Sequence, residues 1–84
     1  MVISYSKALG KEGVLIDAVG FHKYKDLGDP DGPGYYAGYP GYHAIKIERR
    51  GGKEVNLLYD SKEDRDAEYD ELMTQVRRQT IPAH

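Results

Sequence analysis

Two alternating runs separated by a short glycine turn constrain this chain more than any other feature. His43 to Arg49 sets His43, Ile45, Ile47 and Arg49 on one face and Ala44, Lys46 and Glu48 on the other. Lys53 to Asp60 likewise groups Val55, Leu57 and Tyr59. Arg50-Gly51-Gly52 lies between the runs, so together they read as a β-hairpin. Side chains alternate with a period of two, so one residue more or less in the loop moves a whole apolar row to the other face. A two-residue Gly51-Gly52 loop opposes Ile47 to Asn56, whereas a three-residue loop from Arg50 to Gly52 opposes Ile47 to Val55 and Ile45 to Leu57. The longer loop is therefore predicted, as a type I turn followed by a left-handed Gly52 in a bulge.

An apolar hairpin face needs a cover, and the C-terminal segment can provide it. Ser61 is a good N-cap, with Asp64 placed much as in a capping box. Glu63, Asp64 and Asp66 suit the positive end of a helix dipole, and Arg77 and Arg78 the negative end. Tyr69, Leu72, Met73 and Val76 follow i, i+3, i+4, i+7, an apolar stripe about 100° wide. Pro82 ends the helix. The stripe is expected to lie on the row Ile45, Ile47, Val55 and Leu57. Glu63, Asp64, Glu68, Asp70 and Glu71 are then assigned to an acidic outer face. Arg65 is expected to lay its stem over Tyr69 and keep its head in solvent.

The N-terminal half is less regular. Met1 to Tyr5 suits a first strand, pairing either with the second strand or with Lys53–Asp60. Ala8 to Gly13 reads as a turn. Val14 to Val19 is apolar on both faces except at Asp17 and is expected to lie centrally. Gly20 marks a bulge, after which Phe21 to Lys25 prolongs the strand. From Gly28 to Tyr42 periodicity is lost: Pro30, Pro33, Pro40, half of the ten glycines and half of the eight tyrosines fall here. Such a segment is a long loop, of the kind that is usually functional or disordered. The expected fold is α+β: a small antiparallel sheet of about four strands (ββ, long loop, ββ) packed on one C-terminal helix. Residues 1–80 are expected to form one domain with its loop at 26–42, followed by a tail, 81–84. The hairpin–helix arrangement of residues 43–79 resembles small bacterial and phage accessory proteins and pleckstrin-like folds. That likeness is architectural and brings no site motif.

Composition narrows the chemistry. Cysteine is absent, which removes disulfides, thiolate-rich zinc sites and thiol catalysis. Charged residues make up 31% with a net of −2, so no global field draws nucleic acid, and no sequence-specific DNA binding is expected. The N-terminus lacks a signal-peptide pattern and no apolar run could span a bilayer, so a cytoplasmic protein with no membrane contact is expected.

Tyrosine and glycine together are what recognition loops use, a large amphipathic contact on an adaptable backbone. The plainer alternative is a lid over a small core. Lys46, Arg49, Arg50 and Lys53 around the glycine turn could grip phosphate or carboxylate, or could serve only as solvated edge charges. Asp29-Pro30-Asp31-Gly32 opens like a calcium loop but has Pro40 where the closing Glu belongs, and so reads as a turn. His22, His43 and His84 share no ligand spacing, and no nucleophile elbow or phosphate-binding loop is present. The expectation is a non-enzymatic binding module of inhibitor or adaptor type, with no catalytic or metal residues and no cofactor. Its binding residues are Tyr35, Tyr36, Tyr39, Tyr42, His43, Arg49, Arg50 and Lys53, and its partner is a protein. The alternative is a nucleotide-sequestering protein, with tyrosines stacking the base and Arg49, Arg50 or Lys53 holding the phosphate. A homodimer through the loop or an open sheet edge is a further expectation.

Overall fold

The computed structural model describes residues 1–26 and 41–80, with β1 at Ile3–Tyr5, β2 at Gly13–Leu15, β3 at Ala18–Asp26, β4 at Tyr42–Arg49, β5 at Glu54–Tyr59 and α1 at Lys62–Thr80. β1 and β2 form an antiparallel ribbon, and β3, β4 and β5 an antiparallel sheet in that order. With helix α1 packed against them, the fold is α+β.

The hairpin register is the one predicted: Ile45 opposes Leu57 and Ile47 opposes Val55. The turn chemistry differs. A type I turn would hold Gly51 near φ −90°, yet Gly51 has φ 83° and ψ 15°, and Gly52 has φ 80°. Two successive left-handed positions demand glycine at both, which is why Gly51-Gly52 stands here.

The Val14–Val19 run is not the central strand. The chain bends after Leu15, and a register shift between Ala18 and Gly20 marks the bulge expected near Gly20. Among the described residues β2 pairs only with β1 and β3 is an edge strand, so β4 takes the centre. Val14 and Ile16 are left 62% and 75% exposed. β1 settles against β2, with Ile3 opposite Leu15.

Helix α1 starts as read from its caps. Ser61 Oγ accepts the Asp64 N–H at 3.1 Å. Leu72 joins Ile3, Ala18, Ile45, Ile47, Leu57 and Tyr59 in the buried core, with Tyr69, Met73, Phe21 and Val55 packed around it. Arg65 departs from the expected snorkel. Its guanidinium donates to Asp66 Oδ1 at 3.0 Å and to the Tyr24 carbonyl at 3.4 Å, tying the helix to β3.

Glu68 departs furthest. Assigned by sequence to the acidic outer face, it is 1% exposed and faces inward. Its carboxylate accepts the Tyr59 hydroxyl at 2.7 Å, the Ser6 N–H at 3.1 Å and the Lys7 N–H at 3.2 Å. Burial first, and then the Glu68 carboxylate, push the Tyr59 hydroxyl well above its ordinary pKa, so it remains a neutral donor. Further along the same helix face, Gln75 accepts from Ser4 N at 2.7 Å and donates to Ser4 O at 3.0 Å. Gln79 makes the same pair of bonds with Val2. These side chains finish the outer edge of β1 as a neighbouring strand would.

Candidate functional site

The described residues among those named from sequence fall into two groups at opposite ends of β4. Tyr42 and His43 begin the strand, where Tyr42 pairs with Asp26 and His43 with Lys25. Arg49 ends it, and Arg50 and Lys53 belong to the turn beyond. Seven residues of strand separate Tyr42 from Arg49, about 23 Å at 3.3 Å per residue. Tyr35, Tyr36, Tyr39, the Asp29–Gly32 turn, His84 and the tail 81–84 lie outside the described residues.

At the turn end Arg49 is already engaged. Its Nε reaches Asp17 Oδ1 at 2.9 Å and its second amino nitrogen reaches Asp17 Oδ2 at 3.1 Å, a bidentate pair that ties the hairpin to the β2–β3 bend. The Arg50 N–H adds a bond to the Asp17 carbonyl at 3.0 Å. Arg50 and Lys53 are exposed, and Glu48 and Glu54 line the same shallow groove. The hydrogen bonds from Arg49 hold the Asp17 carboxyl below its ordinary pKa. A carboxyl depressed in the folded state contributes stability that is present above its unfolded pKa and lost as pH falls through the folded value. Arg49→Gln is therefore expected to flatten the acid limb of the melting-temperature profile below about pH 4. An acid limb of unchanged slope in the variant would show that the pair adds nothing to the fold.

At the loop end the surroundings are cationic. Lys23 Nζ stands 4.9 Å from the centre of the Tyr69 ring and 3.7 Å from Asp66 Oδ1. His43 is half-buried, and its pKa is pushed down by burial first and then by the charges of Lys25 and Arg65. Tyr42 is 37% exposed. This end therefore presents an aromatic ring, an imidazole and several cations beside the point where the chain passes into residues 27–40.

Sequence reading missed a third surface. On the sheet face away from the helix, His22, Tyr24, Lys46, Glu48, Glu54 and Asn56 line an open concavity of about 610 Å³. His22 Nε2 meets Glu48 Oε1 at 2.9 Å, and the Tyr24 hydroxyl donates to Asn56 Oδ1 at 3.0 Å. The alternation Lys46/Glu48 against Glu54/Asn56 was a readable sign of a polar face. Among the described residues, no group of three or more His, Asp or Glu is placed to hold a metal ion. No described helix is long and apolar enough to cross a membrane. No family model matches the chain, and neither a curated protein nor a solved structure matches it.

Proposed function

We propose that this chain is a non-enzymatic binding module of inhibitor or adaptor type, which engages a protein partner through the Tyr/Gly-rich segment 26–42 and the adjoining His43. One observation carries the reading. The β3–β4 ladder runs in unbroken register from Gly20–Glu48 to Asp26–Tyr42, so the chain enters and leaves the Tyr/Gly-rich segment on paired neighbouring strands. A variable loop on a rigid scaffold is a common arrangement for recognition. The nucleotide alternative is less favoured, because Tyr42 and His43 lie a full strand length from Arg50 and Lys53.

The test is the double variant Tyr36→Ala/Tyr39→Ala. Its melting temperature is expected to stay within about 3 °C of the parent, as for surface changes. Capture of the cellular partner is expected to fall at least about tenfold, the signature of lost aromatic anchors. Unfolding of the variant would make the loop a lid over the core. Undiminished capture would move the binding surface elsewhere.

A further inference from the structure

Strand edges are where a small sheet either protects itself or receives a partner. The hydrogen bonds show which edges this chain covers. Arg49 N–H donates to Lys53 O at 2.7 Å, so the main-chain groups of Arg49, Ile47, Ile45 and His43 face β5. Those of Glu48, Lys46 and Ala44 then face β3, opposite Gly20, His22 and Tyr24. β5 supports the same phase, since its outward carbonyls at Leu58 and Asn56 accept Leu9 N at 2.8 Å and Lys11 Nζ at 3.1 Å. The 8–11 turn thus covers β5, and Gln75, Gln79 and Glu68 cover β1. Met1 covers only the start of β3, through its two bonds with Ala18. The N–H and C=O groups of Phe21, Lys23 and Lys25 point away from β4, and among the described residues no main-chain group pairs with them.

We infer that this outer edge of β3, Phe21 to Lys25, is the docking strand for an extended acidic segment of a partner protein, which adds a fourth strand to the β3–β4–β5 sheet. Charge selects the occupant. Lys23 and Lys25 flank the edge on the helix side, with Arg65 behind them, and Asp66 and Glu63 only partly offset these cations. A second copy is disfavoured by the same charges. Antiparallel pairing centred on Lys23 or Tyr24 sets lysine against lysine, and pairing centred on His22 brings the two Lys23 side chains within diagonal reach. An acidic strand meets no such penalty and gains steering. The inference rests on the reading of the chain as a protein-binding module, but not on the tyrosines of its loop.

The probe is a short synthetic peptide of alternating Glu and Val, with a Lys/Val peptide and a proline-interrupted Glu/Val peptide as controls. Amide exchange is followed by NMR on the full chain. The Glu/Val peptide is expected to slow exchange at Phe21, Lys23 and Lys25 by about tenfold or more, and to change little at His22 and Tyr24, which already face β4. Neither control should protect them. Lys23→Gln/Lys25→Gln, which removes both charges and keeps a polar side chain, is expected to weaken peptide binding about tenfold. The Tyr36→Ala/Tyr39→Ala variant should bind the peptide as the parent does. Absent protection, equal protection by the Lys/Val peptide, or concentration-dependent protection without peptide would each overturn the inference. If it fails while the tyrosine variant still loses the cellular partner, the loop reading stands alone.

Discussion

Glu68→Ala is expected to lower stability by about 3 kcal/mol or more, because hydrogen bonds to a charged group are worth roughly 1.5–3 kcal/mol each. The carboxylate is 1% exposed and accepts from Tyr59, Ser6 and Lys7. Its removal leaves a buried hydroxyl and two main-chain N–H groups without their acceptor. A domain of this size shifts its melting temperature by about 4–8 °C per kcal/mol, so a fall of about 12 °C or more is the expected reading in a thermal scan. Against a total stability of about 5–15 kcal/mol the loss is large. Glu68→Gln should fall between the two, since its oxygen can serve one donor while its amide nitrogen confronts another. Glu71→Ala is the control. Its bond to Lys7 joins side chains 39% and 54% exposed, and exposed pairs contribute little. A melting temperature for Glu68→Ala within about 2 °C of the parent would show that the three bonds do not hold the N-terminal ribbon in place.

Glu68 carries no signal of burial in the sequence. The apolar stripe Tyr69, Leu72, Met73 and Val76 was legible because it follows helical spacing and ends in Ser61 and Pro82. A second row, turned toward β1, uses the same arithmetic: Glu68, Leu72, Gln75 and Gln79 stand at i, i+4, i+7 and i+11. Only Leu72 in that row is apolar, so a criterion built on hydrophobicity cannot see it. The polar side chains of the row turn toward β1 because their partners are main-chain groups at its edge, which a sequence does not display as a pattern. The hairpin register was legible for the opposite reason. Period-2 alternation left only one loop length that matched apolar to apolar. The Val14–Val19 run misled, because an apolar stretch signals burial only if strands flank it on both sides. A bend after Leu15 and the bulge before Gly20 gave β2, among the described residues, a neighbour on one side alone. The candidate site was divided by distance. Tyr42 and Arg49 are neighbours in a list of residues and stand a strand length apart in space.

Leu72→Ala is the other change with a large expected effect, about 2–5 kcal/mol, the range for emptying a buried leucine site. Leu72 is fully buried and belongs both to the stripe that meets the sheet and to the row that meets β1. Its neighbours in the core include Ile3 from the ribbon and Ile45, Ile47, Leu57 and Tyr59 from the sheet. Truncation therefore loosens two contacts at once, and the surrounding strands can collapse only partly into the space because β4 is fixed between β3 and β5. Ile16→Ala provides the contrast: the side chain is 75% exposed, and a change within about 0.5 kcal/mol is expected. Chemical denaturation of both variants measures the difference directly, as a fall in midpoint with unchanged slope for Leu72→Ala. Combining Leu72→Ala with Glu68→Ala then asks whether the helix holds the ribbon as one unit. The two positions are one turn apart, and Tyr59, which bonds Glu68, belongs to the same core cluster as Leu72, so the double variant should lose less than the sum of the single losses by about 0.5 kcal/mol or more. Strict additivity would mean that the polar row and the apolar stripe of α1 hold separate parts of the fold.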